Sequence, residues 1–152
     1  MKTDSVSVTI AHAPADVFAA IADVTRMGEW SPECIACRWV GGAVGPAVGA
    51  KFEGDNESRV GNRVVKKWTT TSEVVACEPG SVFEFIADGY TTWRYELEPI
   101  GDGTKVTESF RYEPRGFVGK YVYEMLMQRS AMLAKGMQRT LERIKTAMEP
   151  AT

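Results

Sequence analysis

Three polar residues interrupt patterns that otherwise require apolar side chains, and they are the groups best suited to chemistry. Glu108 lies in register with Val106, Phe110 and Tyr112 on one face of an alternating run. Asn56 shares a face with Phe52 and Gly54, and Arg129 falls within the apolar arc of a long helical segment, between Met125 and Met132. A carboxylate on an inward face is expensive to bury without a partner. Burial also raises its pKa, which suits it to act as an acid or base. With all three pointing inward, Asn56, Glu108 and Arg129 would form a small polar cluster able to orient a hydroxyl, carbonyl or carboxylate of a ligand. Glu108 is then the candidate catalytic group, helped by Arg129 or Tyr95. The plainer readings are a rim carboxylate neutralised by Arg129 or Arg94, and an arginine that snorkels to water.

Other chemistries find little support. His12 is the single histidine, so a nucleophile–histidine arrangement would have to be built around it, and its place before Pro14 reads as a surface turn. Cys34-Ile35-Ala36-Cys37 is an isolated CxxC. A structural zinc would need two more ligands, for which only Cys77 and His12 are available in kind. A redox pair would favour a helix start, whereas this one leads into a strand. No metal and no cofactor are expected. The Gly41–Gly49 stretch lacks the Lys-Ser/Thr of a phosphate loop and precedes a strand, and no basic, aromatic-interleaved strand suggests nucleic acid.

The elements that position these residues follow from periodicity. Ser5 to Ile10 alternates as a half-buried strand. Pro14 opens a short helix with Val17, Phe18, Ile21 and Ala22 on its apolar stripe, and Thr25 to Trp30 makes a second helical turn. Strands follow at Ile35–Val40, Lys51–Ser58, Arg63–Ala76, Val82–Ala87, Thr91–Glu98 and Lys105–Tyr112. The strongest hairpin signal among them is Asp88-Gly89. After the Glu113-Pro114-Arg115-Gly116 turn, Phe117 to about Met148 reads as one long amphipathic helix of roughly 45 Å. Val118, Tyr121, Val122, Met125, Leu126, Met132, Leu133, Met137, Leu141, Ile144 and Met148 fall on its apolar arc. Strands with one apolar face need a cover on that side only. The expectation is therefore α+β: a curved antiparallel sheet of about seven strands around a C-terminal helix, with two short helices between the first two strands. Residues 1–152 are expected to form one domain.

The inward set is mostly aromatic: Phe52, Trp68, Phe83, Phe85, Trp93, Tyr95, Phe110 and Tyr112. Large rings facing a methionine-rich helix, with Gly54 and Gly136 among them, either fill a core or line an apolar hollow. The expected ligand-binding set is Phe52, Asn56, Trp68, Phe83, Phe85, Trp93, Tyr95, Glu108 and Phe110 from the sheet. Tyr121, Met125, Arg129 and Met132 complete it from the helix.

Composition bounds the rest. Hydrophobic residues are 44% and charged ones 25% of 152, and no apolar run approaches the roughly 20 residues of a membrane span. Met1-Lys2-Thr3-Asp4 runs directly into a strand pattern, so no signal peptide is read and the cytoplasm is the expected compartment. Net charge is −2, yet Arg111 to Lys145 holds eight Lys/Arg against three Asp/Glu. That basic segment could meet a protein or transiently touch an anionic membrane surface, without integral association.

The order of elements, together with particular segments, resembles the START-like superfamily, also described as Bet v 1-like or SRPBCC. The segments are Ala13-Pro14-Ala15-Asp16-Val17-Phe18, Met27-Gly28-Glu29-Trp30-Ser31-Pro32-Glu33-Cys34, Val48-Gly49-Ala50-Lys51-Phe52, Trp68-Thr69-Thr70-Thr71 and Cys77-Glu78-Pro79-Gly80. Within that superfamily the chain looks like the bacterial polyketide cyclase/dehydrase and lipid transport group, over residues 4–148. The resemblance implies a helix-grip fold with a deep apolar cavity between sheet and helix. It transfers no catalytic residue. The expected function is binding or transport of a hydrophobic small molecule such as a lipid or polyketide-like compound. The alternative is a cyclase or dehydratase using Glu108.

Overall fold

The computed structural model describes residues 2–112 and 119–149, with side chains over 3–112 and 133–149. The turn expected at Glu113–Gly116 and the side chains of Val118, Tyr121, Val122, Met125, Leu126, Arg129 and Met132 lie outside the described residues.

Seven strands form one antiparallel sheet: β1 (Lys2–Ile10), β2 (Cys34–Val40), β3 (Lys51–Val60), β4 (Arg63–Glu78), β5 (Val82–Ala87), β6 (Thr91–Ile100) and β7 (Gly103–Tyr112). Between β1 and β2 come α1 (Pro14–Ala22), a 3₁₀ turn (Val24–Arg26) and α2 (Met27–Trp30), and α3 (Gly119–Met148) closes the chain. The strand order is β1-β7-β6-β5-β4-β3-β2, so the first two strands lie at opposite edges and α1 and α2 carry the chain between them. This is the helix-grip architecture. Its hairpins turn as the residues dictate. At Asp88-Gly89 both residues take positive φ (51° and 64°) in a tight turn closed by the Tyr90 amide donating to the Ala87 carbonyl at 3.0 Å, and the Asp88 carboxylate accepts from the Thr71 amide at 2.8 Å.

Alternation is cleanest in β7, where Thr104, Val106, Glu108, Phe110 and Tyr112 are all buried while the residues between them face outward. On the outer face, Glu84 is buried between Arg94 (2.8 Å) and Arg111 (2.9 Å), which satisfies its charge. Inside, α3 presents Leu133, Met137, Leu141 and Ile144 to the sheet at helical spacing. Leu141 and Ile144 join Ile10, Val17, Phe83 and Val106 in the main core, while Leu133 and Met137 pack on Phe110 and Tyr112. Leu141→Ala is expected to lower unfolding free energy by about 2–5 kcal/mol in chemical denaturation, because a fully buried side chain leaves a cavity the helix cannot close.

His12 does more than turn the chain. It is half-buried, and its Nε2 is hydrogen-bonded to the Met148 carbonyl, while Thr104 donates to the His12 carbonyl at 2.7 Å. The end of α3, whose last carbonyls lack partners within the helix, is thereby tied to the β1–α1 corner.

Candidate functional site

Between the concave face of the sheet, α2 and the described part of α3 lies a cavity of about 350 Å³, within the range of small-molecule sites. Its sheet wall includes Phe52, Asn56, Trp68, Phe85, Trp93, Tyr95 and Glu108. Met27, Pro32 and Cys34 close one end, and Leu133, Gly136 and Met137 come from the helix. Seven of the sheet residues named from sequence therefore face this space. Phe83 and Phe110 do not. Phe83 is wholly buried edge-on against Phe18 of α1, with ring centroids 6.3 Å apart. Phe110 is held between Trp93 (5.7 Å) and Tyr112 (5.8 Å) beneath α3. Both point inward as the alternation requires, but a helix covers each. The side chains of Tyr121, Met125, Arg129 and Met132 are outside the described residues.

Sheet register explains the most polar point of the wall. Tyr95 on β6 pairs directly with Glu108 on β7, so both side chains stand on the inner face side by side. The Tyr95 hydroxyl donates to the Glu108 carboxyl, and Oε1 of Glu108 has no hydrogen-bond partner among the described residues. Burial pushes the Glu108 pKa up to about 8, against the opposing pull of the Tyr95 hydrogen bond. The same burial, and then the neighbouring carboxyl, raise the Tyr95 pKa well above its ordinary value. Near neutral pH, Glu108 is thus mostly a neutral acid at the cavity wall, with one buried oxygen unpaired.

Asn56 stands elsewhere. Its Nδ2 is directed at Thr70 Oγ1 (3.2 Å) and the carbonyls of Gly54 (3.1 Å) and Trp68 (3.4 Å). On β3 it is four strand spacings from Glu108 on β7, about 19 Å along the sheet. Asn56 and Glu108 share no hydrogen bond among the described residues, since facing the same side does not make residues four strands apart neighbours; Arg129, the third member of the expected cluster, lies outside the described residues. The cavity instead has two separate polar points with rings between them. Phe52 and Phe85 meet edge to face at 5.0 Å there. The charged residues on the described wall are Glu33, Asp88 and Glu108, all acidic.

Leading into a strand, the CxxC lacks the helix start that a redox pair favours, and residues three apart on a regular strand face opposite ways. The strand is not regular. Pairing with β3 slips between Cys34 and Ala36, leaving Ile35 as the extra residue of a β-bulge. Ile35 and Ala36 both face outward, while Cys34 and Cys37 both turn to the cavity with their sulfurs 3.1 Å apart. Cys37 Sγ also approaches Met27 Sδ at 3.8 Å. The hydrogen bond from Cys37 holds the Cys34 thiol below its ordinary pKa, and Cys37 is pushed up correspondingly. The outward-facing pattern of Ile35 followed by Ala36 carried no sequence signal, since neither residue is polar.

Solved structures share this architecture. The polyketide-cyclase-like protein Cgl2372 of Corynebacterium glutamicum is 36% identical, with 95% of this chain and 90% of that one covered at a TM-score of 0.67. Protein CV1439 of Chromobacterium violaceum matches at 16% identity and a TM-score of 0.72, over 99% and 100% of the two chains. The di-domain ARO/CYC protein StfQ of the steffimycin biosynthetic pathway matches at 14% identity and a TM-score of 0.75, over 96% of this chain and 50% of that one. At such identities the last two speak for the fold alone. No curated protein sequence matches significantly. The model of the family described as polyketide cyclase / dehydrase and lipid transport matches residues 1–149, and the chain belongs to that family.

Proposed function

We propose that the protein binds, and in that sense carries, a hydrophobic small molecule in the cavity between sheet and α3. The observation that supports this most is an aromatic-walled space of about 350 Å³ with one unsatisfied buried oxygen, Glu108 Oε1. A well-packed core would have filled that volume and paired that atom. Burial of ligand surface against Phe52, Phe85, Trp93 and Met137 supplies affinity at about 25 cal/mol per Å² before the losses of association. Glu108 and Asn56 hold the ligand's polar ends, and Tyr121, Met125, Arg129 and Met132 remain the helix residues proposed to complete the site.

Native mass spectrometry of the protein from its own host, with organic extraction of what co-purifies, tests this directly. Micromolar binding of N-phenyl-1-naphthylamine, a neutral apolar probe, is the expected companion result. An empty protein that ignores the probe would sink the reading. Gly136 lines the cavity in mid-helix, and a Cβ there comes no closer than 3.4 Å to Pro32 Cγ. Gly136→Leu is therefore expected to weaken probe binding roughly tenfold or more. It should keep the fold, since glycine in a helix is already about 1 kcal/mol unfavourable.

The second reading is a cyclase or dehydratase, favoured by one observation: a carboxyl group with pKa about 8 at the cavity wall can give up or accept a proton near neutral pH. Glu108→Gln separates the two. Retained affinity with lost turnover favours the enzyme, and equal loss of both favours binding alone. Among the described residues no helix is long and apolar enough to cross a membrane. The exposed Lys135, Arg139 and Arg143 of α3 support transient contact with anionic membrane surfaces, and a cytoplasmic location completes the proposal.

A further inference from the structure

We propose that Cys34 and Cys37 form a thiol–disulfide exchange site on the cavity wall, which a low-molecular-weight disulfide converts to an internal Cys34–Cys37 disulfide. Three features of the backbone build it. The bulge at Ile35 turns both thiols to one face, which a regular strand cannot do. Gly54, paired opposite Cys37 on β3, leaves the sulfurs their space: a Cβ at that position would stand 3.1 Å from Cys37 Sγ and 3.7 Å from Cys34 Sγ. The bulged strand is itself fixed by α2, whose Gly28 lies so close to the Ile35 carbonyl that only a glycine fits. The sulfurs, 3.1 Å apart, need to close by only about 1 Å to reach bonding distance near 2.0 Å. Cys77, opposite Phe83 on β4, has no sulfur neighbour among the described residues and serves as the internal comparison; burial raises its pKa.

Cys34, acidified by its neighbour, is the attacking thiolate and Cys37 the resolving thiol. The Cys34 thiolate attacks one sulfur of the small disulfide, forming a mixed disulfide and releasing one small thiolate. Cys37 then loses its proton to that thiolate or to water and attacks Cys34 Sγ, expelling the second small thiolate. Two electrons pass from the two cysteines to the small disulfide, which leaves as two thiols. Both sulfurs face the cavity, so the small disulfide approaches through it. The inference needs that space to be reachable by solvent but does not need the proposed ligand.

The test uses oxidised glutathione on the intact, folded protein, with alkylation and peptide mass analysis. The fragment from Met27 to Arg38 contains both cysteines. The expected result is a fall from three alkylatable cysteines to one, with this fragment lighter by two hydrogens. Cys37→Ser is expected to stop at a glutathione adduct on Cys34. A wild-type protein whose fragment keeps both thiols, or stalls as a stable adduct, overturns the proposal. A second measurement excludes a property of CxxC in any unfolded chain. At one ratio of reduced to oxidised glutathione, the folded protein is expected to hold more disulfide than protein equilibrated in urea. The reverse order would mean that the fold resists the bond, and the proposal fails.

Discussion

Replacing Glu108 by Gln is expected to remove a pH-dependent loss of stability that the native protein carries between about pH 4.5 and pH 8. The sign follows from proton counts. In the unfolded chain Glu108 ionises near 4.5, but in the folded protein burial holds its pKa up to about 8. Between those values the folded state keeps a proton that the unfolded state has released, so stability falls as pH rises. Above about pH 8 both states are ionised and the full penalty is present. At about 1.4 kcal/mol per pH unit, the penalty is at most on the order of 5 kcal/mol. Denaturant titrations of wild type and Glu108→Gln at several pH values measure it. The stability difference should widen in favour of the variant from pH 5 to pH 8, then level off. A difference that stays flat would mean Glu108 is ionised throughout, with a partner that holds it so. The same proton bears on ligand binding. A neutral Glu108 can donate to a carbonyl, so a ligand held that way should bind more weakly once pH exceeds about 8.

Gly28→Ala is expected to be the most disruptive single-methyl change in the chain's first half. A Cβ at Gly28 would stand 2.4 Å from the Ile35 carbonyl oxygen and 2.9 Å from its carbon. Both atoms are backbone, and they belong to the bulge that aims the two cysteines, so neither can yield without moving β2 or α2. A loss of about 3 kcal/mol is expected, as for overpacking at a rigid contact. That corresponds to a melting temperature lower by roughly 6–12 °C for a domain of this size. Gly45→Ala, where a Cβ meets nothing within 4 Å and φ is not in the left-handed region, is the control and should change little. Equal melting temperatures for the two variants would show that α2 is free to shift. In that case the Cys34–Cys37 geometry would owe nothing to it.

Binary alternation by itself determined the inner face of this protein. The period of two in Lys105–Tyr112 put Glu108 inward beside Val106 and Phe110, and the helical stripe put Leu133, Met137, Leu141 and Ile144 against the sheet, as the structure finds. Those are local patterns, set by which way consecutive side chains point. What only the tertiary structure decided depends on distance between segments far apart in sequence. Pairing of Tyr95 with Glu108 is a matter of register between β6 and β7, and separation of Asn56 from Glu108 is a matter of strand order. Phe83 and Phe110 share their facing with Phe85 and Trp93, yet α1 and α3 cover the first pair and leave the second at the cavity. The cysteines depended on a bulge, an irregularity that pairing with β3 and the close approach of α2 impose on β2. Facing is written in the order of residues along one strand, whereas adjacency is written only where strands and helices meet.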